Sequence, residues 1–195
     1  MKNQRKLILA SSSPYRKSLL QKICPNFESA SPDINETNRA DEKPITLSKR
    51  LAFEKTHALT KQYSNHLIIG SDQVAMLDDT QLHKPGSHKN AVAQLKRSSG
   101  KTIHFYTSVC VLDSSTEQHA VDTDHCIVQM RPLTIAEIER YVTLDQPYGC
   151  AAAFKSEGLG IALFETIDGN DPNALVGLPL IKLTNLLKQF DYNVL

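Results

Sequence analysis

Three stretches of this chain collect residue types that handle phosphate. Leu9-Ala10-Ser11-Ser12-Ser13-Pro14-Tyr15-Arg16 passes from an apolar run through a hydroxyl-rich turn into a helix start. Ser13 suits the N-cap and Pro14 the first helical position. Backbone N–H groups, Ser hydroxyls and the helix dipole then converge on one point and favour an anion. Arg16 falls in the first turn, where the dipole alone disfavours a cation and a phosphate would supply a partner; a plain Ser cap with a solvated arginine fits the same spacing. Gly70-Ser71-Asp72-Gln73 directly follows Leu67-Ile68-Ile69. This places a carboxylate at the end of a buried strand, where open α/β sheets carry ligand sites, or in a turn that bonds its own backbone. The polar stretch from Asp33 to Pro44 holds Asp33, Glu36, Asp41 and Glu42, as a solvated loop or as a source of metal ligands. Lys55, Lys84 and Lys155 complete the set, each also readable as a solvated surface charge. Together these residues offer anion donors, a carboxylate base and spare carboxylates for a hard cation.

The elements that must position them alternate between strand and helix. Lys6–Ala10 reads as a short buried strand, and Tyr15, Leu19, Leu20 and Ile23 mark one face of the helix after it. Phe27–Ser31 suits a second strand. Leu47, Leu51, Ala58 and Leu59 mark a helix running to about Gln62, and Leu67–Gly70 a buried strand. Ser87 caps a helix carrying Ala91, Val92 and Leu95. Lys101–Leu112 and Val121–Arg131 form a hairpin, with Cys126, Val128 and Met130 on one face. Thr134-Ile135-Ala136-Glu137 is a capping box. Ile161–Phe164 reads as a late strand, and Leu180, Leu183, Leu187 and Phe190 mark an amphipathic helix after Pro179. The pattern predicts one α/β domain over residues 1–195, with a mixed central sheet and flanking helices.

Composition excludes several classes. The chain has 195 residues, with 22 Lys and Arg against 21 Asp and Glu, a formal charge of +1. That balance argues against a broadly basic nucleic-acid binder. Cys24, Cys110, Cys126 and Cys150 are far apart with no CxxC, which argues against a disulfide framework or zinc site and points to a reducing cytoplasm. The opening MKNQRKLILA mimics a leader, but its apolar run is too short, and no later stretch approaches the ~20 apolar residues of a membrane span. The P-loop, HExxH, GxSxG and GxGxxG patterns are all absent.

Read in order, LASSSPYRK, the Glu36 loop, FEK at 53–55, GSDQV at 70–74, HKP at 83–85, FKSEG at 154–158 and DPNALVGLP at 171–179 resemble the Maf family of nucleoside-triphosphate pyrophosphatases. No single block is specific, but seven in sequence over almost the whole chain are. The resemblance implies a fold similar to the inosine-triphosphate pyrophosphatases, with two lobes around a cleft. It implies cleavage between the α- and β-phosphates with a divalent cation (Mg²⁺, Mn²⁺ or Co²⁺), and a possible homodimer. By motif position, Ser11, Ser13, Arg16, Glu36, Lys55, Asp72, Lys84, Lys155 and Glu157 match the family's site residues, the cations, the serines and Glu157 as substrate binders and Asp72 as the proton acceptor. By their own chemistry Glu36 and Asp72 could hold the metal, one of them serving as the base. FKSEG, which contains Lys155, and the aromatic at Tyr15 resemble the subgroup that hydrolyses 7-methyl-GTP, and the subgroup acting on dTTP and UTP differs at these positions. Lys17 departs from the pattern, standing where arginine is common, and supplies charge without the bidentate fork.

The physics suits that chemistry. Arg16, Lys55, Lys84 and Lys155 can neutralise a triphosphate locally, phosphoryl transfer asks mainly for positioning and charge stabilisation, and Mg²⁺ needs only a few carboxylates beside phosphate oxygens and water. A ring at Tyr15 suits the cationic N7-methylated base through a cation–π contact, although a core position on its helix fits equally. Gln73 can donate to and accept from a base edge. Lys155 would repel a cationic base, unless it stabilises the N1-deprotonated form through O6 or reaches a phosphate. Two alternatives remain at this point: the same hydrolysis acting on dTTP, UTP or CTP, and a nucleotide-binding regulator linked to septum formation.

Overall fold

Residues 5–195 are described by a computed structural model of the chain; Met1–Gln4, where the leader-like opening begins, lie outside them. The described chain contains β1 (Lys6–Ala10), α1 (Pro14–Gln21), β2 (Glu28–Ala30), α2 (Pro44–His57), β3 (His66–Leu77), β4 (Thr80–Leu82), α3 (His88–Ser98), β5 (Thr102–Asp113), β6 (His119–Met130), α4 (Ile135–Asp145), β7 (Phe164–Asp168) and α5 (Leu180–Gln189), with 3₁₀ turns at Ala151–Ala153 and Leu159–Leu163. The sheet order is β2-β1-β3-β5-β6-β7, with β4 paired to β3. Parallel and antiparallel pairings coexist, so the expected mixed α/β sheet is present.

The chain divides into two compact units. The first comprises the residues up to Asp72, Thr107–Asp124 and Asp171–Leu195. Its β1 lies between β2 and β3, parallel to both, with Ile8 opposite Glu28 and Ile68. Alternation along the strands splits their apolar residues between two faces. Leu7, Leu9, Leu67 and Ile69 pack with Leu19 and Leu20 of α1 and Leu183 and Leu187 of α5. Ile8, Ala10 and Ile68 point the other way, onto Leu59 and Tyr63.

The second unit comprises Gln73–Tyr106 and His125–Asn170. Its part of β3 pairs antiparallel with β4, Ala75 opposite Leu82, and α3 packs on α4. Thr134 caps α4 through the expected reciprocal box with Glu137. Phe154 lies edge-on to Phe105 and Phe164, with ring centroids 5.5 and 4.6 Å away. On the outer face of β5 and β6, His104, His125 and Tyr106 form a continuous ring stack.

Four expectations change. The strand expected to end at Gly70 runs on to Leu77, so Asp72 lies inside β3. Gly-Ser-Asp is turn-forming composition, but Val74, Ala75 and Leu77 are buried and β4 supplies the pairing that extends the strand. The late strand begins at Phe164, because Leu159–Leu163 coil into a 3₁₀ turn where Gly160 packs on the Lys155 backbone: a Cβ there would lie 2.3 Å from the Lys155 carbonyl oxygen. Helix α2 ends at His57, and irregular turns occupy the residues to Tyr63. Ile23 lies beyond the end of α1.

Candidate active site

The Ser11–Arg16 turn forms as the sequence requires. Ser13 caps α1, its hydroxyl accepting from Arg16 N at 3.4 Å, and Ser13 N donates to Ser11 Oγ at 3.1 Å. Two serine oxygens are thus committed to shaping the turn at a helix N-terminus, the arrangement that collects anions. Arg16 finds a protein partner there, since its Nε donates to Gly177 O at 2.8 Å. With Nε occupied, the Nη groups carry the donors that an anion would take.

A glycine explains how α2 reaches β3. A Cβ on Gly70 would sit 2.4 Å from Ala52 O and 2.7 Å from Thr56 Cγ2, so only hydrogen admits the helix this closely. Asp72 lies two residues along β3 and shares Gly70's face, while Lys55 precedes Thr56 on the facing helix. Lys55 Nζ consequently bonds Asp72 Oδ1 at 2.6 Å and Glu36 Oε1 at 2.8 Å. Lys55 and Asp72 are both buried, 6% and 7% exposed, whereas the Glu36 side chain is 59% exposed. Burial pushes the Asp72 carboxyl above the ordinary carboxylate range, opposed by the charges of Lys55 and Arg16. Burial likewise lowers the Arg16 guanidinium, opposed by Asp72 and Glu36. These are opposite charges that sustain one another's ionisation in a poorly solvated place.

Arg50 of α2 anchors the loop that carries Glu36. It grips Glu42 through Nε and Nη2 at 2.6 and 2.7 Å, and donates to Glu54 at 2.9 Å and to Thr37 O at 3.1 Å. This bidentate clamp holds Glu42 down at a pKa of about 2.

Ser11, Ser13, Arg16, Glu36, Lys55 and Asp72 therefore all belong to the first unit. Lys84, Lys155, Glu157 and Gln73 belong to the second. Lys84 is exposed after β4, and Glu157 is exposed in the turn before Leu159. Lys155 is half-buried; its Nζ bonds the Asp145 carbonyl and lies 3.6 Å from Asp145 Oδ1, and Tyr141 OH accepts from its backbone N–H at 3.0 Å. Tyr15 is half-buried at the start of α1.

For a metal, the first unit offers two hard carboxylates. Among the described residues, no group of three or more His, Cys, Asp or Glu is placed to hold an ion. Glu36 and Asp72 both bond the Lys55 ammonium, so a cation held by them would have to take its remaining ligands from phosphate oxygens and water, as Mg²⁺ does. The four cysteines are free thiols. Among the described residues, no helix is long and apolar enough to cross a membrane.

The family model for Maf-like proteins matches residues 6–190. The chain belongs to the Maf family. It is 52% identical over 181 residues to the 7-methyl-GTP pyrophosphatase of Alcanivorax borkumensis, covering 93% of this chain and 92% of that protein. It is 48% identical over 189 residues to the 7-methyl-GTP pyrophosphatase of Colwellia psychrerythraea, covering 97% and 94%. Among solved structures, a HAM1 protein from Coxiella burnetii shares the fold at a TM-score of 0.50 and 12% identity, over 95% of this chain and 99% of that one.

This Maf chain also uses residues that its motifs did not single out for a role. Gly70 sets the α2–β3 approach, and Gly177 supplies the carbonyl that holds Arg16. Gly177 adopts a φ of 115°, which favours glycine, and its hydrogen faces the guanidinium. Both glycines lie inside the quoted blocks, so the signal was present, but only the packing reveals what each touches.

Proposed function

We infer that this chain hydrolyses the α–β phosphoanhydride of 7-methyl-GTP, releasing the nucleoside monophosphate and pyrophosphate. The observation that carries the reading is the buried Asp72 carboxylate held by Lys55 in the same unit as the Ser11–Arg16 anion turn. The names of relatives sharing about half of its residues, 48% and 52%, support the substrate. Residues 1–195 act as one functional domain on the nucleotide pool of the cytoplasm, the homodimer implied by the family being the assembly to test.

In this reading Ser11, Ser13, Arg16 and Lys55 bind phosphate oxygens, and Lys84, Lys155 and Glu157 take the substrate-binding roles of the family motifs. Asp72 accepts a proton from the attacking water; the water oxygen bonds to phosphorus, and the bridging P–O bond breaks with its electron pair leaving on pyrophosphate. Asp72 must be ionised to do this, and the neighbouring cations Lys55 and Arg16 oppose the burial that would keep it protonated. A divalent cation, Mg²⁺, Mn²⁺ or Co²⁺, held through Glu36 and Asp72 would offset the phosphate charge. Tyr15 offers a ring to the cationic base, and Gln73 offers hydrogen bonds to its edge. Asp145 partly balances the Lys155 ammonium, which reduces its repulsion of that base.

Pyrophosphate release from 7-methyl-GTP, GTP, UTP, dTTP and CTP, each with and without divalent cations, tests this reading. The highest kcat/KM is expected on 7-methyl-GTP, and Asp72→Asn is expected to lower turnover by ~10² or more with the fold intact. Equal or better use of the pyrimidine triphosphates would move the substrate to that class, and an undiminished Asp72→Asn variant would remove Asp72 from the chemistry.

A further inference from the structure

The segment from Asp171 to Pro179 has no assigned role, yet its hydrogen bonds converge on Arg16. Asp171 is 2% exposed. Its Oδ1 accepts from Asn173 N at 2.8 Å and from Asn173 Nδ2 at 2.9 Å, while its Oδ2 accepts from Ile181 N at 2.6 Å. One carboxylate therefore ties the start of the segment to the first turn of α5. Within the segment, Gly177 N donates to Ala174 O at 2.9 Å, and Thr107 of β5 donates its hydroxyl to Ala174 O at 3.0 Å. The Gly177 carbonyl then meets two donors, Arg16 Nε at 2.8 Å and Ser71 Oγ at 2.9 Å. Ser71 is fully buried on β3, and its single hydroxyl proton is shared between Gly177 O and Ser108 O, 2.8 Å away. A carbonyl oxygen has two lone pairs, and both are engaged here. Gly177 holds a φ of 115°, a conformation that favours glycine, while a Cβ there would meet Arg16 Nε at an ordinary contact distance of 3.4 Å, so it is the backbone conformation, and not a lack of space, that calls for glycine beneath the guanidinium.

We propose that the Asp171–Pro179 segment is a clasp that aims Arg16 at phosphate, with Asp171 and Ser71 as its positioning residues. Arg16 would otherwise be a flexible side chain in a helical first turn, its charge opposed by the dipole. Fixing Nε holds the planar guanidinium in one orientation and leaves the paired Nη donors, the fork that matches phosphate oxygens. The ordering of a long side chain is then met by folding and not by substrate binding. Asp171 and Ser71 touch no substrate themselves. They act through the Gly177 carbonyl.

This inference rests on the pyrophosphatase reading for its kinetic meaning, but the clasp is measurable as anion binding alone. Calorimetric titration with inorganic tripolyphosphate is run on the full chain, on Asp171→Asn, Ser71→Ala and Arg16→Ala, and on both double variants containing Arg16→Ala. Asp171→Asn turns one accepting oxygen into a donor facing an N–H. Ser71→Ala removes one hydroxyl and leaves the Asp171 bonds intact, so it serves if the first variant folds poorly. Each single positioning variant is expected to weaken tripolyphosphate about three- to tenfold, and each double variant to bind no more weakly than Arg16→Ala alone, because the effect passes through Arg16. Additive losses in the doubles, wild-type affinity in both single positioning variants, or no tripolyphosphate binding by the wild-type chain would each overturn the clasp. Pyrophosphate release from 7-methyl-GTP by the wild-type protein is measured in parallel. Its absence alongside the non-additive binding pattern would reject the proposed activity and leave the clasp standing, and the converse pattern would reject only the clasp.

Discussion

A methyl group placed on Gly70 tests whether the approach of α2 to β3 sets the Lys55–Asp72 contact. The new Cβ would sit 2.4 Å from Ala52 O, 2.7 Å from Thr56 Cγ2 and 3.3 Å from Thr56 N. Ordinary contacts of this kind begin near 3.4 Å, and the nearest atom is backbone, so α2 must retreat by about 1 Å. Lys55 lies between the two obstructing residues on the helix and moves with it. Its bond to Asp72 Oδ1, now 2.6 Å, would lengthen to about 3.6 Å, outside hydrogen-bonding range. Overpacking of this sort costs ~1–3 kcal/mol, which a domain stable by ~5–15 kcal/mol survives. A misplacement of ~1 Å at the site is worth up to ~10² in rate. The assay pairs urea unfolding with kcat/KM for pyrophosphate release at 25 °C, well below the unfolding transition. Gly70→Ala is expected to lose both stability and one to two orders of magnitude in kcat/KM while remaining folded. Full activity at reduced stability would show that the helix yields without carrying Lys55, and wild-type behaviour in both would refute the packing argument itself.

Lys55→Met removes the nearest cation opposing the burial of Asp72, so the carboxyl pKa rises further and the acid limb of the kcat/KM–pH profile moves to higher pH; an unmoved limb would separate Asp72 ionisation from turnover. Arg50 holds Glu42 at about 2, below its ordinary 4.5. A depressed carboxylate stabilises the fold above its unfolded pKa, so the stability advantage of wild type over Glu42→Gln should be complete above about pH 5 and shrink as pH falls from about 4.5 to about 2; parallel melting curves over that window would refute the clamp. Tyr15→Ala should erode the preference for 7-methyl-GTP over GTP by about 2- to 30-fold, the range of a cation–π contact of ~0.5–2 kcal/mol, whereas an unchanged ratio would place Tyr15 in helix packing alone.

What the sequence determined by itself was local: caps, helix starts and the hairpin, though not where α1, α2 or the late strand stop and start. The Ser13 cap, the Pro14 start of α1, the Thr134 capping box and the β5–β6 hairpin all depend on residues within a few positions of one another, and each formed as expected. The motif order also placed the chain in its family, because a series of short blocks survives without any knowledge of contacts. Tertiary structure decided what those blocks touch. Asp72 stands inside β3 because β4 pairs with the residues beyond it, overriding the turn-forming composition around Ser71. Lys55 reaches both Asp72 and Glu36 because Gly70 lets α2 settle against the strand. Arg16 takes its orientation from Gly177, 161 residues away in the chain. Periodicity and capping report only interactions that repeat within a turn or a strand. A hydrogen bond closed by packing across such a distance leaves no local pattern, so the sequence names candidate residues and only the folded chain shows which of them meet.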